Sequence, residues 1–409
     1  VYDAYRAEQD VRPLDIFFVH EGTYLIGTSA LVTAFDGPVL YQHNLAKFRV
    51  LSDAPISAYF LLAALGSPIV QWQIRARQFS ADIIDSVVGR IGEIVIPIPR
   101  DRKRHNAVSS AVKTAVEGRA EARERLSHSL MFLDEWLANG TRTAISSAFS
   151  WRPDPDEYSG RPVFLGKRNQ FQAFLKENDG LRADILVPKY YDPELIERAK
   201  AFRTRCDLRS IEELMSDGVL SLDTGDEIGR LNYGTGSIPF IRTSDLGSFE
   251  LKADAKHGVS AAVYTGFKDT QDVKPDDILL VRDGTYLVGS SALVFGQDAP
   301  LLYCGGINKL RSLKRDALSP YLLYALLNIP FVREQMRRKQ FTRDIIDTLG
   351  HRLKEVLLPI PKDPAVRSEI SEHVAELCRG RVRGRVGLDR LCKTLYAVSD
   401  VPEPVQSAA

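Results

Sequence analysis

The feature that most constrains this chain is an internal repeat. Residues 1–101 align without a gap on residues 263–363 at a constant offset of 262, and close to half of the aligned positions are identical. Self-similarity over that length means one module built twice. Val11-Arg-Pro-Leu-Asp-Ile16 returns as Val273-Lys-Pro-Asp-Asp-Ile278, and Gly22-Thr-Tyr-Leu-Ile-Gly27 returns as Gly284-Thr-Tyr-Leu-Val-Gly289, with Ser-Ala-Leu-Val close behind each time. Short β-rich runs punctuated by Gly and Pro read as strands and turns, with the Gly-Thr-Tyr step between two strands.

Downstream, Ser57-Ala-Tyr-Phe-Leu-Leu-Ala-Ala-Leu65 matches Ser319-Pro-Tyr-Leu-Leu-Tyr-Ala-Leu-Leu327, a Ser-capped helix that is apolar all round and therefore expected to be buried. A second helix is expected to carry Gln78-Phe79 and Asp82-Ile-Ile-Asp85, repeated as Gln340-Phe341 and Asp344-Ile-Ile-Asp347. Each module then closes with an apolar strand ending in Pro, at 94–99 and 356–361.

After each Pro-Ile-Pro the pattern switches to a long helix, near 102–138 and near 364–398. In the second, Ile370, Val374, Leu377, Leu388, Leu391, Leu395 and Val398 keep three-four spacing; at the same offset the first presents Val108, Val112, Ala115, Leu126 and Leu133. Arg119 and Arg381 break both seams at one register. At about 1.5 Å per residue each helix would run roughly 50 Å. Two helices of matched length and stripe are expected to pack on each other, the alternative being that each covers only its own module.

The repeat sets the domain plan. Residues 1–101 form a first module, 102–138 the first long helix, 139–204 a linker and lead-in, 205–363 a second module, 364–398 the second long helix and 399–409 a tail. The second module has an upstream half, with Gly225, Gly229, Gly234 and Gly236 leading into Ile238-Pro-Phe-Ile-Arg-Thr-Ser-Asp-Leu246, that the first lacks here. Because the chain starts at Val1 inside a repeated unit, it reads as a fragment whose front holds the counterpart.

A chain of 409 residues is long enough for two or three domains. With 44% hydrophobic and 26% charged residues and no apolar run near the ~18 residues of a membrane span, a cytoplasmic protein is expected. Cys206, Cys304, Cys378 and Cys392 lack metal-ligand spacing and are expected to be reduced and structural. A net charge of +1 does not by itself indicate nucleic acid, so any such argument must be local.

The order module, long helix, module, long helix resembles the specificity subunits of Type I restriction-modification systems. The residues carrying the resemblance are Leu181-Arg-Ala-Asp with Tyr190-Tyr-Asp-Pro, Ile238-Pro-Phe-Ile-Arg-Thr-Ser-Asp-Leu, Asp277-Ile-Leu-Leu-Val-Arg-Asp-Gly-Thr, Leu318-Ser-Pro-Tyr-Leu-Leu-Tyr and the closing Leu-Pro-Ile-Pro. The resemblance implies an α/β fold of two target-recognition domains with twisted β-sheets, joined by two long spacer helices in an antiparallel coiled coil. It also implies a role: each domain reads half of a split site in double-stranded DNA, while partner subunits methylate adenine, with a restriction or translocase subunit as a further partner. S-adenosylmethionine would be bound by the methyltransferase, and this chain would hold no cofactor or metal. The chain departs from that pattern in its short first module and in Arg379-Gly-Arg-Val-Arg-Gly-Arg385, where glycines cost about 1 kcal/mol each in a helix interior and suggest a kink or a partner contact.

Motifs for bond chemistry are missing. An adenine methyltransferase would show an Asn/Asp-Pro-Pro-Tyr motif and a glycine-rich cofactor loop; Asp192-Pro193 lacks the second Pro, and Gly234-Thr-Gly236 reads as a turn. No G-x-x-x-x-G-K-[ST] phosphate loop occurs. Pro275-Asp-Asp277 has the start of a metal-dependent nuclease motif without the acid-x-Lys that should follow. The chain is therefore expected to be non-catalytic.

DNA contact is better supported. Residues 301–355 hold eleven Lys or Arg against five acids, a local excess able to neutralise phosphates. Lys47 and Arg49 recur as Lys309 and Arg311, and Arg333, Arg337, Arg338, Lys339 and Arg343 could follow the phosphate backbone. Residues that read bases should differ between modules, whereas scaffold residues should match. On that filter His20 and Glu21 become Arg282 and Asp283 beside the shared turn, and Gln42, His43 and Asn44 become Cys304, Gly305 and Gly306. The groove-facing candidates are Arg282, Asp283, Thr285 and Tyr286 in the second module, and His20, Glu21, Thr23 and Tyr24 in the first. Arg242, Thr243, Ser244 and Asp245 are added from the Ile-Arg-Thr-Ser-Asp block. Gly22, Gly27, Gly284 and Gly289 are assigned to the turn itself. Two other functions fit the same residues: the C-terminal specificity region of a fused adenine-DNA methyltransferase, and a protein scaffold that no longer binds DNA.

Overall fold

The computed structural model describes residues 2–22, 25–81, 84–140, 144–153, 188–247, 249–252, 257–284, 286–343 and 346–396. The described residues divide into two units, one within residues 2–124, 153 and 379–396, the other within residues 125–152 and 188–378. Helices and small sheets are mixed in both, as expected of an α/β chain.

In the first unit the strand Ile16–Val19 is the middle of a three-stranded antiparallel sheet, flanked by Ser29–Leu31 and Leu45–Phe48. Ile16 pairs with Leu31 on one side and Phe48 on the other. The apolar helix Ala58–Leu65 is capped by Ser57, whose Oγ accepts from Phe60 N, and it buries Phe60, Leu62, Ala63 and Ala64. A second helix, Pro68–Arg77, starts with Pro at its first turn, where the missing N–H costs nothing. It ends before Gln78, and Phe79–Ala81 and Ile84–Ser86 form a β-hairpin on Glu21–Gly22 in place of the expected helix. Aromatic and β-branched residues favour that choice once Glu21–Gly22 supplies an edge to pair with.

This unit also holds residues 102–124 of the helix Arg102–Asn139 and residues 379–394 of the helix Pro364–Thr394. Val108, Val112 and Val116 pack with Leu388, Leu391 and Leu395 in the same cluster as the apolar helix. The two stretches run antiparallel, since Arg104 Nη2 donates to Leu395 O at 3.0 Å while Gly384 lies against Ala115. A Cβ on Gly384 would stand 2.8 Å from the Ala115 carbonyl oxygen, so the glycine expected to kink the helix instead lets two helices approach closely.

The second unit repeats this plan register for register. Ile278–Val281 lies between Ser291–Leu293 and Ile307–Ser312, and Ile278 pairs with Leu293 and Leu310, the counterparts of the first unit's partners. Leu220–Thr224 adds a fourth strand beyond Ile307–Ser312. The closing segment Leu357–Pro361 is a strand here, paired antiparallel with Cys206–Ser210. Among the described residues of the first unit, its counterpart at 94–99 has no ladder and is not a strand. A strand exists only by pairing, and Cys206–Ser210 belongs to the upstream half of the second module.

Helices Pro320–Asn328 and Pro330–Lys339 are buried against this sheet, with Tyr324, Phe331 and Val332 essentially inaccessible. Asp134, within 125–139 of the first long helix, accepts from Phe331 N at 2.7 Å and from Arg198 at 2.5 Å, capping the second of these helices. Leu126, Leu130 and Leu133 share one cluster with Ile370, Val374 and Leu377 of the second long helix. One further contact recurs at the repeat offset: the cap Ser57 donates to Ser109 Oγ at 2.8 Å, and Ser319 meets Ser371 at 2.6 Å. The start of each long helix is thereby fixed to the module that precedes it.

Cys206, Cys304 and Cys378 are buried thiols, and Cys392 packs its Sγ against Gly66. Burial pushes the Cys206 thiol up to about 12 and the Cys392 thiol to about 11. No helix among the described residues is long and apolar enough to cross a membrane.

Candidate nucleic-acid interface

Both modules build the same turn at the end of their central strand. In the second, Arg282 N and Asp283 N donate to Gly306 O at 2.8 and 3.1 Å, and Leu349 N donates to Arg282 O. In the first, His20 N donates to Asn44 O at 3.2 Å and Val87 N to His20 O. Gly284 and Gly22 sit at φ 154° and 147°, and Gly289 and Gly27 at 80° and 87°, so the shared glycines shape the turn.

The residues that differ lie on top of this frame. Arg282 is partly exposed and grips Asp283, Nη2 to Oδ2 at 2.6 Å, while Asp283 Oδ1 accepts from Thr348 Oγ1 at 2.5 Å. His20 instead places Nε2 2.8 Å from His43 O. Tyr286 is 82% exposed. Thr23, Tyr24 and Thr285 lie outside the described residues, as do Asp82, Ile83, Asp344 and Ile345 and the side chain of Arg343.

The Ile-Arg-Thr-Ser-Asp block reaches the same place. Thr243 brings its Cγ2 to Gly306, where a Cβ would stand 2.8 Å from it and 3.8 Å from Asp283 Cβ. Arg242 extends beside His257, Nη1 to Nε2 at 3.1 Å, and over the ring of Tyr233 at 5.9 Å. Ser244 is exposed. Asp245 is buried and accepts from Arg242 N at 2.8 Å, so it caps its own turn and presents nothing outward.

The recurrent cations are turned inward. Arg311 holds Asp277 through two bonds, Nε to Oδ1 at 2.6 Å and Nη2 to Oδ2 at 2.7 Å, and reaches Asp272 Oδ2 at 2.7 Å. Arg49 makes the same fork on Asp15 at 2.7 and 2.7 Å and reaches Asp10 at 2.9 Å. Lys309 is 2% exposed and donates to Gln271 O at 2.5 Å; Lys47 donates to Asp10 O at 3.0 Å. These four side chains tie the strand to the end of the preceding helix rather than offering charge to phosphate. Asp277 of the nuclease-like run is thus an anchor for Arg311, and Asp276 pairs with Arg315 at 2.9 Å.

The carboxylates respond to these cations. Arg311, then Lys274, hold the Asp272 carboxyl down to about 2, and Arg12, then Arg49, do the same for Asp10. Burial pushes Asp15 upward, but the bonds from Arg49 and from Arg12 N outweigh it and leave it below the usual carboxylate range. Asp277 raises the Arg311 guanidinium, as Asp15 raises that of Arg49.

The basic helix is divided in the same way. Arg338 pairs with Asp192 at 2.7 Å and Glu334 at 2.6 Å; Lys339 pairs with Glu355 at 2.9 Å and lies 4.3 Å over the ring of Tyr190. Arg337, one turn from Arg333, is partly exposed. Sequence reasoning missed Glu227, whose Oε1 accepts from Gly305 N at 3.2 Å, and Leu231, 94% exposed on the glycine-rich loop beside Tyr233. Exposure of an apolar loop residue leaves no periodic signal, so no pattern could have found the second.

No protein-family model and no curated protein matches the chain. Solved structures similar to it at low identity include the following three. One is the S subunit of a Type I restriction-modification system from M. genitalium, 14% identical, covering 95% of this chain and 84% of that one, with a TM-score of 0.37. Another, described by complex assembly and conformational transition of the type I R-M system, is 15% identical over 94% of this chain and 82% of that one, TM-score 0.29. The HsdS subunit from Thermoanaerobacter tengcongensis is 17% identical over 94% and 80%, TM-score 0.27.

Proposed function

We propose that this chain is a sequence-reading, non-catalytic subunit of a restriction-modification or related DNA methyltransferase complex, each module reading one half of a bipartite site in double-stranded DNA. The observation that carries the reading is one frame with two faces. The Arg–Asp fork, the glycine turn and the strand register repeat at the same offset. The side chains standing on that frame change from His20 and Glu21 to Arg282 and Asp283. A constant scaffold with exchangeable polar groups suits two different half-sites, with Arg favouring guanine and acids favouring the cytosine amino group.

The packing of long-helix segments on each other inside each unit, antiparallel in the first, supports a paired spacer. The adenine-methylating subunit and its S-adenosylmethionine belong to the partner, as does any restriction or translocase subunit; this chain supplies recognition.

The test is selection. The protein, with the methyltransferase that co-purifies with it, is incubated with a randomised duplex pool and the bound fraction is sequenced. Two short motifs at fixed spacing are the expected result; no enrichment at any salt concentration overturns the reading and favours the scaffold.

A further inference from the structure

The basic helix Pro330–Lys339 contains one guanidinium that the module does not use. Arg333 Nη1 is buried and has no hydrogen-bond or ion-pair partner among the described residues. It lies under the turn that carries Tyr286: a Cβ on Gly289 would stand 2.9 Å from Arg333 Nη1 and 2.9 Å from Met336 Sδ. Its neighbours Arg338 and Lys339 are both neutralised by carboxylates.

The repeat provides an internal control. The counterpart of Arg333 is Gln71, which fills the same place under Gly27 and uses its amide nitrogen there, Nε2 donating to Gly27 O at 2.9 Å and Leu65 O at 2.7 Å. An uncharged amide therefore suffices to close this turn. The second module has instead placed a cation where the fold requires none, one nitrogen buried without a partner and the side chain partly exposed, and a charge held half out of water without a counter-ion is costly to keep. Burial, with the Arg337 charge close by, lowers the Arg333 guanidinium to about 10, which leaves it charged at neutral pH. Two cations adjoin and no carboxylate answers Arg333.

We propose that Arg333 completes its ion pair with a phosphodiester oxygen of bound nucleic acid, which makes the second module's grip on the backbone stronger than the first's at this turn. The proposal rests on the DNA-reading function and specifies a phosphate contact within it. Arg333 is a positioning group: it sets the register of the backbone under the turn while Arg282 and Asp283 face the bases.

The experiment titrates salt against binding of the full-length protein to a random-sequence duplex, followed by fluorescence anisotropy, for the wild type and Arg333→Gln. The variant installs the residue that the repeat already tolerates. It should bind about tenfold more weakly at low salt and lose about one from the slope of log affinity against log salt. Its thermal midpoint should be unchanged or higher, because the uncompensated charge is gone. Arg333→Met, which keeps the apolar contact with Met336, should give the same slope and covers the case in which Gln is not accepted. A wild-type slope and affinity in both variants would overturn the Arg333 assignment and leave DNA reading intact, as would a lowered midpoint with an unchanged slope. No salt-dependent binding by the wild type would overturn both.

Discussion

Arg311 and Asp277 face each other through two parallel hydrogen bonds of 2.6 and 2.7 Å, and Asp277 is 1% exposed. The fork fits a carboxylate because the guanidinium is planar, and a lysine could not reproduce it. Removing the cation leaves a buried carboxylate unpaired. Arg311→Ala is expected to cost about 3 kcal/mol of stability, measured by denaturant unfolding, with Arg311→Lys recovering only part. Arg49→Ala should cost less, because Arg49 is 34% exposed against 22% for Arg311, so the space it leaves opens more readily to water that can reach the equally buried Asp15.

The same cluster sets an acid limit. Asp272 and Asp10 titrate near 2 in the folded chain, against an ordinary 3.8. A carboxyl depressed by folding stabilises the folded state fully above about pH 4, where both states are ionised. That contribution is lost as pH falls toward 2, where both become protonated. The thermal midpoint should therefore drop between about pH 4 and 2, and Asp272→Asn with Asp10→Asn should flatten that drop. Asn suits both sites because they sit at φ 40°. A wild-type pH profile in the double variant would show that other carboxylates set the limit.

Gly384 and Gly387 occupy one helix with opposite surroundings. A Cβ at 384 meets the Ala115 carbonyl oxygen at 2.8 Å, whereas at 387 nothing lies within 4 Å. Ala is favoured over Gly in a helix interior by about 1 kcal/mol. Gly387→Ala should therefore stabilise by up to that amount. Gly384→Ala should destabilise, since backbone cannot move aside as a side chain can. Equal effects in equilibrium unfolding would mean that the helix contact at Ala115 is loose.

Much of the frame was readable because it depends on local pattern. The repeat, the Ser-capped apolar helices and the long helices follow from periodicity and caps. The hairpin at 79–86, and the lack of a ladder at 94–99 where the closing strand of the second module has one, were not readable, because each depends on whether a distant edge exists to pair with. The recurrent cations show a different limit. Lys47, Arg49, Lys309 and Arg311 read as phosphate contacts on charge alone. Yet Asp10, Asp15, Asp272 and Asp277 recur beside them. Positions of opposite charge held constant together are the sign of an internal clamp, and the rule that scaffold residues match while readers differ already pointed there. What the sequence lacked was the strand register that brings position 311 beside 277.

The remaining prediction separates base reading from packing at the other divergent stretch. Gln42, His43 and Asn44 give way to Cys304, Gly305 and Gly306, a change of the kind expected for different half-sites. The second module supplies a steric reason as well. A Cβ at 305 would meet Glu227 Oε1 at 2.9 Å, one at 306 would meet Thr243 Cγ2 at 2.8 Å, and one at 225 would meet the Cys304 and Tyr303 carbonyl oxygens at 2.4 and 2.5 Å. The glycines make room for the segments that bring Glu227 and Thr243 to the turn, whereas Gln42 and His43 stand exposed in the first module. Gly306→Asn should therefore destabilise the second module by about 1–3 kcal/mol, the usual cost of overpacking, and displace Thr243. Asn44→Gly in the first module should cost well under that. If Gly306→Asn folds with wild-type stability and changes only the half-site selected from a duplex pool, the stretch reads bases and the packing account fails.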